Sequence, residues 1–352
     1  MIRPGKAATR HVLVERSRKR PGEGCNPMTN ADVRLRALLM DTIAVHQKSK
    51  ITASPPAVMR DKKYNDQYMV QIAHRASLPE ITVLLHASAI RENGLRLLKT
   101  GHIAQGAELL GKARRIFSEA VLSEETRLVA ESFQYPAEAY LYFTRGEQTE
   151  AEAALITSIG LCQALRDAYD HEIEVRRIHL ARNLIRVRAA MNRRADALDM
   201  GSHLVRYLEG VEECWPLHDF PMTRPPDHLL IDERFALMDQ ILGEIALLVP
   251  PGRAMSRRLV ASRAGWLFAE DKPSTGEFAA VDAWLAARRA AVDGDASTFL
   301  VHTRAFFAGG RGYLFRAWRE LTLDLIACCQ YIAPDKPELW RNLDDDGVGN
   351  AT

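Results

Sequence analysis

Two stretches of this chain, LKTGHIAQGAELLGKA at residues 98–113 and FTRGEQTEAEAALITSI at residues 143–159, place small and apolar residues in the same order although few letters coincide. Aligned on Gly101 and Gly146, each copy has a small residue seven positions earlier (Gly94, Ala139), five later (Gly106, Ala151) and twelve later (Ala113, Ser158). Small side chains at those spacings let two antiparallel helices approach closely across a tight turn, and let the pair stack on the next. A third copy centres on Asn192 with Ala197 five residues on; Asn, like Gly, tolerates a left-handed turn position. Gly101, Gly146 and Asn192 stand 45 and 46 residues apart, a regularity that points to a stack of hairpins, and a fainter copy centres on Gly294.

The rest of the chain after residue 30 keeps a 3.6-residue apolar period and scarcely any strand alternation. Leu84, Ala87, Ile90, Gly94 and Leu97 form one stripe, and Ile103, Ala107, Leu110, Phe117 and Val121 a second. Ala151, Leu155, Ser158, Cys162 and Leu165 form a third, and Phe235, Met238, Leu242, Ile245 and Val249 a fourth. These are amphipathic helices. Helix starts are expected where Ser or Thr precedes Glu by three residues, at Ser77/Glu80, Thr149/Glu152 and Ser274/Glu277, because hydroxyl and carboxylate then each satisfy a free N–H of the first turn. Stops are expected at Gly101, Gly146, Pro250-Pro251 and Gly309-Gly310. The stretch VEECWPLHDFPMTRPPDHLLI, residues 211–231, holds four prolines and cannot lie inside a helix; Trp215 and Phe220 predict that it packs on the body.

The small-residue pattern resembles the tetratricopeptide repeat, whose small positions match Gly94, Gly101, Gly106 and Ala113 in one copy and Ala139, Tyr142, Gly146 and Ala151 in the next. The resemblance covers roughly residues 85–210 and is divergent. Its spacing exceeds the family's usual ~34 residues, and Ile90 stands where the family has a large aromatic. It implies a groove lined by the first helix of each hairpin, where an extended peptide or partner helix lies. The groove positions implied are Ser88, Arg91, Leu95, Leu98 and Lys99; Phe133, Pro136, Tyr140, Phe143 and Thr144; and His179, Arg182 and Arg186. Among these, Tyr140 and Phe143 would supply an aromatic anchor. Arg91, Lys99, His179, Arg182 and Arg186 would form a basic lining suited to carboxylates or phosphates.

Charge narrows the partners. The 47 Lys/Arg and 45 Asp/Glu give a net charge of +2. Seven of the basic residues (Arg3, Lys6, Arg10, Arg16, Arg18, Lys19, Arg20) fall before residue 28, against Glu15 and Glu23. The body is therefore near neutral, which argues against a general grip on nucleic acid. Cys25, Cys162, Cys214, Cys328 and Cys329 form no C-x-x-C pair and read as reduced thiols of a cytoplasmic protein. No apolar run reaches the roughly 20 residues of a membrane span.

Catalytic constellations are weak. His171, Glu172, Glu174 and His179 in YDHEIEVRRIH are the densest metal-capable group, with Glu172 and His179 placed on one helix face, but a charged helix surface accounts for them better. Cys214, His218, Asp219, Asp227 and His228 match no zinc spacing. Cys328-Cys329 sits on an apolar helix and reads as core. AGGRGY, residues 308–313, has no strand before it and reads as a helix-breaking loop rather than a phosphate cradle.

The expected fold is all-α: TPR-like stacked hairpins followed by a second helical block. Its divisions are a disordered basic leader (1–28), an N-terminal helical segment (29–79), helical repeats (80–212), a Pro-rich crossing (213–231), a C-terminal helical block (232–342) and a disordered tail (343–352). The expected function is a non-catalytic adaptor or accessory subunit that binds an acidic protein or peptide, with no cofactor or metal. The alternative is a helical, metal-dependent enzyme with a cavity between the two blocks.

Overall fold

The structure of the chain, a computed structural model, describes residues 29–52, 72, 74–222, 225–269, 276–309 and 314–344. Every regular element among them is helical. In chain order these are α1 (Asn30–Thr52), α2 (Leu78–Lys99), α3 (Ile103–Glu119), α4 (Glu124–Arg145), α5 (Gln148–Tyr169), α6 (Glu174–Ala190) and α7 (Arg194–Leu208). They continue with α8 (Ile231–Leu248), α9 (Ala254–Val260), α10 (Ala279–Asp293), α11 (Ala296–Ala308), α12 (Phe315–Ile332) and α13 (Glu338–Asp344). The fold class is all-α. No helix among the described residues is long and apolar enough to cross a membrane. The basic leader with Cys25, the start expected at Ser274 and the turn at residues 310–313 lie outside the described residues.

The chain divides into two compact units. Of the described residues, one unit holds those from 72 to 200 together with 212–228, and the other holds 29–52, 201–211 and 229–344. The Pro-rich stretch thus belongs with the first unit, whereas α1 belongs with the C-terminal helices.

In the first unit α2 packs on α3 and α4 on α5 across two tight turns, α3 and α2 both meet α4, and α5 meets α6. The turns are left-handed at Gly101 (φ 88°), Gly146 (φ 82°) and Asn192 (φ 62°), a region that favours Gly and admits Asn. The close approach of α2 and α3 depends on two further glycines. A methyl added to Gly106 would stand 2.6 Å from Leu98 Cδ2, and one on Gly94 would stand 3.1 Å from the Gly106 carbonyl. Ala113, Ala139, Ala151 and Ser158 are buried to 3% exposure or less, whereas Gly101 and Gly146 at the turns are exposed.

Apolar burial follows the expected stripes with two shifts. Ala151, Leu155, Ser158, Cys162 and Leu165 are all buried on α5. On α2 the stripe ends at Leu98 rather than Leu97, and Leu98 joins Leu110, Ala137 and Leu141 in a core cluster, so it does not line a groove. Val121 is 99% exposed, because α3 ends at Glu119 and Ala120 already has the extended backbone that leads to the next cap. Helix starts also differ. Glu80 accepts from the Ser77 N–H (2.9 Å) and hydroxyl (2.7 Å), as expected. Thr149, by contrast, lies inside α5, and Glu152 takes Arg188 and Arg193 at 2.8 Å each.

In the second unit α10 and α11 form a hairpin across Gly294 (φ 82°), and α1 packs on α11. Asp295 caps α11 by accepting from the Thr298 N–H (3.0 Å) and hydroxyl (2.7 Å). At the other end of α11, Gly309 has φ −71°, so no left-handed residue is used there. His46 of α1 is fully buried, stacked on Trp318 at 4.8 Å and bonded to Thr322 Oγ1 at 3.1 Å. Cys328 and Cys329 are buried on α12, and burial pushes both thiols up, Cys329 to about 12. Their protonated sulfurs are core, as expected, and not nucleophiles.

Candidate functional site

The site begins with a proline. Pro136 lies inside α4 and has no N–H to give to the carbonyl of Ser132, four residues back. A buried carbonyl left without its helical donor needs partners from elsewhere. It finds two: the Ser158 hydroxyl of α5 at 2.8 Å and Arg176 Nη2 of α6 at 2.6 Å. The break in one helix ladder therefore ties three helices together and fixes the position of Arg176.

Arg176 held there lies over the ring of Phe133, with its guanidinium carbon 3.6 Å from the centroid. Arg91, from α2, lies over the same ring at 5.3 Å. The Arg91 side chain donates from Nη2 to Ser88 Oγ at 2.9 Å, a neutral acceptor on its own helix. Neither guanidinium is within ion-pair distance of a described carboxylate. Burial, and then repulsion from Arg176, bring Arg91 down to about 10, with Glu92 working weakly in the other direction. Arg91, Phe133 and Arg176 each keep partial exposure.

Further along α4, Tyr140 packs against the Leu98 cluster while its hydroxyl is buried with no hydrogen-bond partner. Burial pushes the pKa of this phenol up, and the nearby positive charge of Arg186 opposes that rise. Phe143 and Thr144 are half-buried on the same helix, Lys99 is exposed at the end of α2, and Arg186 is exposed on α6. Arg182 Nη2 donates to Asn183 Oδ1 at 3.1 Å, and His179 is half-buried. Of the seven expected site residues, Arg91 is drawn to Phe133 and Tyr140 to the neighbourhood of Arg186. Among the described residues no hydrogen bond or ion pair links Lys99 or Phe143 to these groups.

Two residues that the sequence did not single out hold this region. Arg176 is one. The other is Arg177, wholly buried, which donates to the carbonyls of Phe220 and Pro221 (3.2 Å to the latter) and stacks on Trp215 at 5.4 Å. Trp215 Nε1 donates to the Phe220 carbonyl at 2.8 Å as well. The Pro-rich segment is thus pinned to α6, as Trp215 and Phe220 led one to expect. The signals in the sequence were Pro136 in the middle of a helix, which frees one carbonyl, and a segment in which four prolines have no N–H to offer its carbonyls.

The metal-capable groups do not assemble. Glu172 precedes α6, so it shares no helix face with His179. Glu174 pairs with Arg166 at 2.7 Å, and His171 Nε2 lies 2.6 Å from Glu125 Oε1. Among the described residues no three His, Cys, Asp or Glu side chains converge as a metal site would require. No family model, no curated protein and no solved structure matches this chain.

Proposed function

We propose that the face made by α2, α4 and α6 binds an extended acidic peptide or protein segment, and that the chain acts as an adaptor or accessory subunit. The observation that carries this reading is the joining of Arg91, Phe133 and Arg176, one from each of the three helices, with no described carboxylate within ion-pair distance of either cation. Half-buried guanidiniums on an aromatic ring suit bidentate capture of anionic side chains. Tyr140, with its unpartnered hydroxyl, and Phe143 add a polar and an apolar anchor on α4. Arg182, Arg186 and Lys99 supply positive charge that speeds encounter with an acidic partner.

The test is fluorescence anisotropy of a labelled peptide of alternating Glu and Leu, titrated with the full chain and with Arg182→Glu/Arg186→Glu. The double variant is expected to bind at least about tenfold more weakly and to lose the salt dependence of the wild type. Equal affinity in a variant that keeps its circular-dichroism melt would overturn the reading.

A further inference from the structure

We propose that Arg91 and Arg176, gathered on Phe133, form an oxyanion subsite that takes a dianionic phosphoryl group in preference to a carboxylate. The inference rests on the same face as the peptide reading but specifies the chemistry of its ligand.

The contrast with the other arginines of these helices supports it. Arg114 pairs with Glu138, Arg166 with Glu174, and Arg188 with Glu152, which also takes Arg193, so these three half-buried arginines each reach a carboxylate. Among the described residues Arg91 has only a serine hydroxyl and Arg176 only a backbone carbonyl as oxygen acceptors. Two like charges share one ring, and burial first, then repulsion from Arg176, depress the basicity of Arg91.

Charge count then selects the ligand. A carboxylate brings one negative charge and leaves one guanidinium uncompensated. A phosphoryl group carries close to two at neutral pH, with three acceptor oxygens for two donor forks. Arg91 commits one of its five N–H groups to Ser88 and keeps the others. Phe133 keeps both guanidiniums stacked, and a stacked guanidinium loses little freedom when it binds.

The experiment uses the full chain with three probes: inorganic phosphate, phenyl phosphate and benzoate. Phosphorus NMR linewidths and thermal melts are followed at millimolar probe, across pH 6 to 8 for phosphate, where its second proton leaves. Both phosphates are expected to broaden and to raise the melt, more strongly as pH rises, with benzoate much weaker. Arg91→Gln is expected to weaken phosphate binding about tenfold, the loss of one charge-assisted contact. Arg96→Gln, on the same helix and bonded to Asn93, is expected to leave it unchanged. Arg91 makes its hydrogen bond within its own helix and lies over Phe133, so its variant tests the idea even if Arg176→Lys is too unstable to purify. Absence of broadening, or equal binding by Arg91→Gln and wild type, overturns the proposal, as does benzoate binding as tightly as phosphate.

A phosphoserine peptide compared with its serine twin separates the sources. An Arg91-dependent gain assigns the phosphoryl group to a peptide, and equal binding of the two, with phenyl phosphate bound, assigns it to a small molecule. The peptide face and this subsite fail separately, because the first is read from Arg182→Glu/Arg186→Glu and the second from Arg91→Gln.

Discussion

Glu80 Oε1 accepts a hydrogen bond from the backbone N–H of Ser123 at 2.7 Å, while its other oxygen accepts from the N–H of Ser77. Ser77 precedes α2 and Ser123 precedes α4, so a single carboxylate caps the first helix of one hairpin and reaches the cap of the next. Ser123 in turn accepts from the Thr126 N–H at 3.3 Å. The sequence pattern explains the local half of this arrangement; the longer half exists only because α2 and α4 pack side by side.

The bond has a pH signature. The Ser123 N–H, followed by the Ser123 hydroxyl and Ser77, lowers Glu80 from 4.5 to about 2. A carboxyl depressed in the folded state contributes stability above its unfolded value and loses it as pH falls through the folded one. Glu80 is partly solvated, so after screening the contribution is about 1 kcal/mol. In urea denaturation Glu80→Gln is expected to cost about that much at pH 7, with the difference from wild type shrinking between pH 4.5 and pH 2. A difference that stayed constant over that range would remove the carboxylate from the explanation.

Pro136 offers a sharper test of the site. Within an ordinary helix, replacing a proline by alanine recovers about 3 kcal/mol. Here the recovered N–H would have to compete for a carbonyl already bonded by Ser158 and Arg176. Pro136→Ala is therefore expected to be neutral or to lose about 1 kcal/mol in chemical denaturation. A gain near the ordinary value would show that the Ser132 carbonyl has no such duty.

The hairpin turns were legible in the sequence because few residues accept a positive φ: Gly101, Gly146, Asn192 and Gly294 meet that demand, whereas Asp170 (φ 51°) meets it without a glycine to mark it. The α5 stripe was legible because each of its five residues meets the same side of the unit. Thr149 misled because a local capping motif competes with distant partners, and Glu152 is claimed by Arg188 and Arg193 some forty residues away. Arg176 was passed over because its importance arises from a carbonyl on another helix. The placement of α1 was equally hidden: Thr42 reaches Leu300 across 258 residues, at 3.4 Å.

Asp239 on α8 predicts a second pH dependence, of opposite sign. Its Oδ1 accepts from the Ala317 N–H at 2.9 Å at the start of α12, yet burial raises it from 3.8 to about 6 despite that bond and the Arg316 charge. An acid raised in the folded state contributes stability below its unfolded value, and that stability is lost as pH climbs through the folded one. The loss across the window from about 4 to about 6 is of the order of 3 kcal/mol. Asp239→Asn keeps an acceptor for Ala317 and removes the proton. Its stability relative to wild type is expected to rise with pH through that window, as read from denaturation curves at pH 4, 5, 6 and 7. A flat difference would show that the buried carboxyl ionises without cost.

The ion pair between Arg288 of α10 and Asp324 of α12, at 2.9 Å, is buried on both sides, at 0% and 3% exposure. Arg288 also stacks on Trp284 at 5.3 Å, and Trp284 Nε1 donates to the Ala317 carbonyl at 3.1 Å, so the pair belongs to the contact between the two helices. Charges so far from water attract strongly but lose their hydration, and removing one partner strands the other. Asp324→Ala is expected to cost about 3–5 kcal/mol, whereas Arg288→Met/Asp324→Leu, which removes both charges and fills the space with apolar atoms, is expected to cost far less or to stabilise. A double-mutant cycle on thermal and urea unfolding measures the difference. If the apolar pair proved as damaging as the single change, the interaction would be a specific requirement of the α10–α12 contact rather than a charge that must merely be balanced.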